Sequence, residues 1–121
     1  MKTYVDNFKM KNFQVIWTKN AQFDLESIIE YIKIDSISIA KELFFAIKKE
    51  CNNLYYFPER KRVVPELQQI GILKYREAIY KRWRVIYKIE NKKVYILLVV
   101  DSSRNLEDIL FQRLIQSDNK S

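Results

Sequence analysis

The stretch at residues 83–100, WRVIYKIENKKVYILLVV, constrains the fold more than any other part of the chain. Trp83, Val85, Tyr87 and Ile89 alternate with Arg84, Ile86, Lys88 and Glu90, the period of a strand with one dry and one wet face. Arg84 and Lys88 then share the wet face. After a polar break at 90–93, the run 94–100 is apolar on both faces, as a central strand covered on both sides requires. Asn91 in that break suits a tight hairpin. Upstream, residues 75–80 read as a third strand, with Arg76, Ala78 and Tyr80 on one side and Tyr75, Glu77 and Ile79 on the other. Short connections make the three an antiparallel meander. The same region carries the charge, since residues 74–93 hold eight basic and two acidic side chains, +6 of a net +7.

The rest of the chain supplies a cover for this sheet. Residues 13–17 read as a further strand, and Thr18 suits the N-cap of a following helix. From 19 to about 34, Ala21, Leu25, Ile28, Ile29 and Ile32 recur at spacings of three and four and form one apolar stripe, with Asp24, Glu26 and Glu30 off it. Asp35 and Ser36 interrupt the pattern. Ser36 then caps a second helix whose stripe is Ala40, Leu43, Phe44, Ile47, Cys51 and Leu54. So short a link between two stripes implies an antiparallel αα-hairpin, ended by Pro58. A basic loop with Arg60, Lys61 and Arg62 leads into an irregular connection holding the single glycine, Gly71. After residues 101–105, Leu106, Ile109, Leu110 and Leu114 keep helical spacing to about 115.

The expected architecture is therefore α+β, an N-terminal strand and αα-hairpin packed on an antiparallel meander with a short C-terminal helix. Trp83 packs beneath the hairpin, and charged side chains on the far face of the sheet line an open surface. At 121 residues the chain suits one domain at 13–116, with a loose extension at 1–12 and a frayed tail at 117–121. Translation could start at Met1 or Met10.

Composition narrows the chemistry. With no histidine, Ser-His-Asp, Cys-His and most zinc sites are excluded, and no metal or cofactor is expected. The single cysteine, Cys51, permits no internal disulfide and reads as a buried structural thiol. No segment is long enough to cross a bilayer, so a cytoplasmic protein without a membrane partner is expected. The positive charge points to an acidic partner, nucleic acid or protein.

Several phrases, in order, resemble one known family. They are Val15-Ile16-Trp17-Thr18 with Ala21 and Asp24-Leu25, then Ile28, Tyr31-Ile32, Asp35-Ser36 and Ala40. Leu54, Phe57-Pro58, Arg62-Val63-Val64-Pro65-Glu66, Tyr75-Arg76-Glu77, Arg84-Val85-Ile86-Tyr87, the run 94–100 and Arg104 continue the series. Together they resemble the RelE/ParE superfamily of toxins from bacterial toxin-antitoxin systems, and within it the ParE-like branch. The likeness spans about residues 15–110. It departs from the ParE pattern at Lys61, where a glycine often precedes the loop arginine, and at Asp101, where a histidine commonly follows the last strand.

The resemblance implies a toxin that poisons DNA gyrase without catalysing a reaction of its own and is neutralised by a cognate antitoxin. The RelE-like alternative is an endoribonuclease that cuts mRNA on the ribosome. In that case Arg76, Arg84 and Arg104 match basic positions that would hold the scissile phosphate. Leu110 and Phe111 fall where an acid-base residue belongs, and neither moves a proton. Tyr80 and Tyr87 match a base in type only, and Tyr87 faces the core. A third reading is a non-catalytic module that binds nucleic acid through its basic residues and aromatics. The residues expected to meet a target or antitoxin are Arg62, Arg76, Tyr80, Arg82, Arg84, Lys88 and Arg104. For Arg84 a functional role is preferred to ion pairing with Glu77, Glu90 or Asp101, whereas Pro65 and Glu66 are read as structural.

Overall fold

The computed structural model describes residues 12–120, with side chains through residue 113. The expected loose extension therefore lies outside the described residues except for Asn12, which forms an antiparallel bridge with Tyr56. The elements are β1 (Gln14–Trp17), α1 (Lys19–Lys33), α2 (Ile37–Asn52), α3 (Pro65–Gln68), β2 (Tyr75–Tyr80), β3 (Trp83–Glu90), β4 (Lys93–Asp101) and α4 (Leu106–Lys120). Two 3₁₀ turns, Asn53–Tyr55 and Pro58–Arg60, follow α2. The one-turn helix α3 stands in the stretch read as irregular, with Pro65 at its start, where a missing N–H costs nothing. Helix α4 continues through Lys120, past the expected end near 115, in a stretch without glycine or proline. Among the described residues, no helix is long and apolar enough to cross a membrane.

The caps form as their sequence positions dictate. Thr18 Oγ1 accepts from the Ala21 N–H at 3.2 Å and donates to the Ile96 carbonyl at 2.7 Å, so one hydroxyl starts α1 and ties it to β4. Ser36 Oγ accepts from the Ile39 N–H at 3.1 Å and starts α2.

The sheet has the order β1-β4-β3-β2, with β1 parallel to β4 and the other pairs antiparallel. Glu90 pairs with Lys93, and the two residues between them, Asn91 and Lys92, both have positive φ, at 52° and 65°. That is the primed two-residue turn whose twist matches a right-twisted hairpin. In the β3–β4 ladder Ile86 faces Leu98 while Tyr87 faces Ile96, which leaves Leu97 as the extra residue of a bulge. The bulge changes the parity of β4, so Val94, Ile96 and Val99 face the hairpin while Leu98 and Val100 face away.

Both faces of the sheet are covered. Ala21 and Leu25 of α1 and Leu43, Ile47 and Cys51 of α2 pack with Ala78, Val85, Tyr87 and Ile96 into the larger core, and Trp83 packs against it as expected. The far face carries a second core of Val64, Ile86, Leu98, Val100 and Leu106, joined by Leu67, Tyr75, Ile109 and Leu110. The expected open cationic face is therefore corrected: α3 and α4 close it, and Ile86 is buried rather than wet.

Candidate functional site

Arg84 stands on β3 beside this second core and is 8% exposed. Its Nε donates to Glu77 Oε1 at 2.7 Å, while Nη1 and Nη2 donate to the two oxygens of Glu66 at 2.8 Å each. This planar fork on a carboxylate is the geometry that only arginine provides. Glu77 is fully buried and takes a second hydrogen bond from Arg62 Nε. Pro65 starts the turn that aims Glu66, and β2 and β3 face each other to bring Glu77 to Arg84. Arg84, for which a functional role is preferred to ion pairing, is thus ion-paired, with Glu77 as one expected partner and Glu66 as an unexpected one. A buried guanidinium needs counter-charges, and Glu66 and Glu77 supply two, engaging three of its five N–H donors.

These contacts set the protonation chemistry. The hydrogen bonds from Arg84 hold the Glu66 carboxyl below its ordinary 4.5, and those to Glu66 and then Glu77 push the Arg84 guanidinium still higher. Because the folded-state value of Glu66 is depressed, its stabilising contribution is complete above about pH 4.5 and is lost as pH falls through the lower folded-state value. Denaturation midpoints measured from neutral to strongly acid pH are expected to fall below about pH 4.5, with Glu66→Gln removing part of that slope. Asp24 runs the other way, because burial raises its carboxyl above 3.8 and its ionisation costs stability as pH rises.

The expected site residues do not converge. Arg62, Glu66, Gln69, Arg84 and Ser102 line a shallow hollow of about 350 Å³ beside Pro65 and Ile79. Arg76 pairs with Tyr87 across the ladder and so lies on the opposite, hairpin side of the sheet, where its Nη1 donates to the Lys61 carbonyl. Arg104 is exposed in the turn before α4 and lines a separate hollow with Asp108, Ile109, Gln112 and Arg113. Lys88 shares the face of Arg84 four residues further along β3, about 13 Å away. Its ammonium lies 3.8 Å from Glu90 and 5.6 Å from the centre of the Tyr95 ring. Tyr80 packs against the hairpin core, with Lys81 Nζ 5.4 Å from its ring centre.

What the fold does gather is one end of the sheet. The Ser102 N–H donates to the Arg82 carbonyl at 2.7 Å, tying the β2–β3 turn to the β4–α4 turn. Arg82 pairs with Asp101 through a guanidinium that stays mostly exposed. The Ser103 N–H, with Arg82 second, holds the Asp101 carboxyl below its usual range. Lys81, Arg82 and Arg104 thus stand exposed on two joined turns, with Arg62 at the edge of the neighbouring hollow.

Two of the positions weighed for proton transfer, Tyr87 and Leu110, lie outside this set. Tyr87 donates its phenol to the Pro58 carbonyl inside the core, and burial pushes its pKa up. Leu110 packs on the second core. Burial pushes the Cys51 thiol up to about 12, which fits the inert thiol expected.

Sequence reasoning missed a second polar clamp. β1 ends opposite Ile96, so beyond that point the β4 edge needs other partners. Asp24 accepts from the Val99 N–H at 3.1 Å, and Arg113 donates to the Leu97 carbonyl at 2.8 Å and to both Asp24 oxygens. The signal was available, because Arg113 continues the stripe of Leu106, Ile109 and Leu110 and so had to be drawn inward.

Known proteins share this fold. A family model described as the ParE toxin of the type II toxin-antitoxin system parDE matches residues 15–106. The fold is similar to the chromosomal ParDE toxin-antitoxin system from P. aeruginosa, with a TM-score of 0.62 and 16% identity over 75% of this chain and 97% of that one. It is also similar to the toxin-antitoxin complex RelBE2 from Mycobacterium tuberculosis, with a TM-score of 0.54 and 20% identity over 76% of this chain and 93% of that one. No curated protein matches.

Proposed function

Since the chain belongs to the ParE toxin family of type II toxin-antitoxin systems, we propose that it arrests growth by binding and poisoning DNA gyrase and that a cognate antitoxin neutralises it. The observation carrying the non-catalytic mode is the scatter of the three arginines that a ribonuclease would need together. Arg84 is held by two carboxylates, Arg76 lies across the sheet, and Arg104 stands at a turn. What remains exposed as a group is Lys81, Arg82 and Arg104, which suits docking on an acidic protein surface. The same exposed cations, with Arg62, suit an acidic antitoxin segment that folds as it binds.

The test is supercoiling by purified gyrase. Added protein is expected to suppress supercoiling and trap cleaved DNA, and the double charge reversal Arg82→Glu with Arg104→Glu is expected to raise the required concentration at least about tenfold. Both positions are exposed, so loss of the Arg82–Asp101 pair should cost no more than about 1 kcal/mol of stability. Unchanged supercoiling with no trapped complex would refute the gyrase reading. Discrete cuts in translated messages, mapped by primer extension during expression, would put the ribonuclease reading in its place.

A further inference from the structure

The hairpin has an outer face that the fold leaves uncovered. On it Ile34 is 81%, Phe23 69%, Phe45 67% and Ile37 59% exposed. Scattered exposed hydrophobics are ordinary, but Ile37 and Phe45 line one groove of about 310 Å³ between α1 and α2. Ile29 and Lys33 form one wall, and Ile37, Lys41, Phe44 and Phe45 form the other. Phe44 and Phe45 meet edge to face with ring centres 5.5 Å apart.

Charge decides the occupant. Residues 19–52 carry five basic and six acidic side chains, a net −1, whereas the remainder carries seventeen basic and nine acidic, a net +8. An acidic partner is drawn to the remainder, not to this face. A second copy of the chain is repelled by the +8 of the remainder and meets far less repulsion from the −1 of residues 19–52. By helical spacing, the outer face bears Glu26, Glu30 and Glu42 beside Lys33, Lys41 and Lys49, equal numbers of each sign. The Glu30–Lys33 pair, at 3.3 Å, is well exposed and free to exchange partners.

We propose that this outer face binds a second copy of the chain across a two-fold axis, with Ile37 and Phe45 of each copy seated in the groove of the other. A two-fold interface must complement itself, which a face of balanced charge around an apolar groove does. Two helices of about 22–24 Å lying about 10 Å apart present roughly 450 Å² in projection. That is below the roughly 800 Å² per partner of a standard interface. A contact of that size belongs with weak, transient associations, for which a midpoint in the micromolar range is expected. The association is independent of the target that the chain acts on.

Sedimentation equilibrium of the purified full chain tests this directly. The mass is expected to rise from 14.7 kDa towards twice that value across the micromolar range. Ile37→Glu with Phe45→Glu is expected to move the midpoint at least about tenfold higher while the helical circular dichroism stays unchanged. Ile39→Glu, equally exposed on the other flank of α2, should leave it in place. A monomer at every concentration overturns the proposal, and so does a dimer that the paired Ile37 and Phe45 substitutions leave intact.

Discussion

Arg84→Ala is expected to cost about 3–5 kcal/mol of folding stability, the range found when one partner is removed from a buried ion pair. The loss exceeds that of a hydrogen bond because of what stays behind. Glu77 is fully buried and would keep only Arg62, while Glu66 would lose both oxygens' donors. For a chain of 121 residues this corresponds to a fall in Tm of roughly 10–20 °C. Arg84→Lys should recover only part of it, since a single ammonium does not reproduce a fork on Glu66 and a third bond to Glu77. Urea denaturation with near-ultraviolet circular dichroism reads both. Loss of growth arrest in Arg84→Ala would follow from unfolding, so that phenotype alone says nothing about contact with a target.

Leu25→Ala is expected to cost about 2–5 kcal/mol. Leu25 is fully buried where α1 meets the core shared with Leu43, Ile47, Val85 and Ile96, and it holds the hairpin on the sheet. The spread depends on how far α1 can settle into the space left. Phe23→Ala, two residues earlier on the exposed side of the same helix, should shift stability by no more than about 0.5 kcal/mol. Equal losses at the two positions would mean that the hairpin is not seated as described.

The elements were legible because local rules and long-range packing agree in them. Thr18 and Ser36 cap the two helices, the stripes face the sheet, and Trp83, Val85 and Tyr87 point inward as their alternation demands. The far side of the sheet was misread, although β4, apolar on both faces, already called for two covers. Its second cover comes from Val64 and Leu67, in a connection without obvious periodicity, and from the stripe of α4. The burial of Arg84 was hidden for a related reason. A strand position between buried neighbours looks wet if its residue is charged, and only the register that brings Glu77 opposite Ile86, beside Arg84, reveals a paired interior. The bulge at Leu97 is set by the pairing of β3 with β4, and the clamp of Asp24 with Arg113 by contacts across more than seventy residues, of which the place of Arg113 on the α4 stripe is the one local sign.

The fold role of Arg84 and the proposed target role of the exposed cations can be separated experimentally. The triple replacement Arg84→Met, Glu66→Leu and Glu77→Leu removes charge and counter-charge together, a change that buried ion clusters often tolerate without loss of stability. Growth after induction of this variant should be measured beside its denaturation midpoint. Arrest retained at near-parental stability is the expected result. Parental stability with arrest abolished would show that the Arg84 cluster itself meets the target, and would contradict its assignment to the fold.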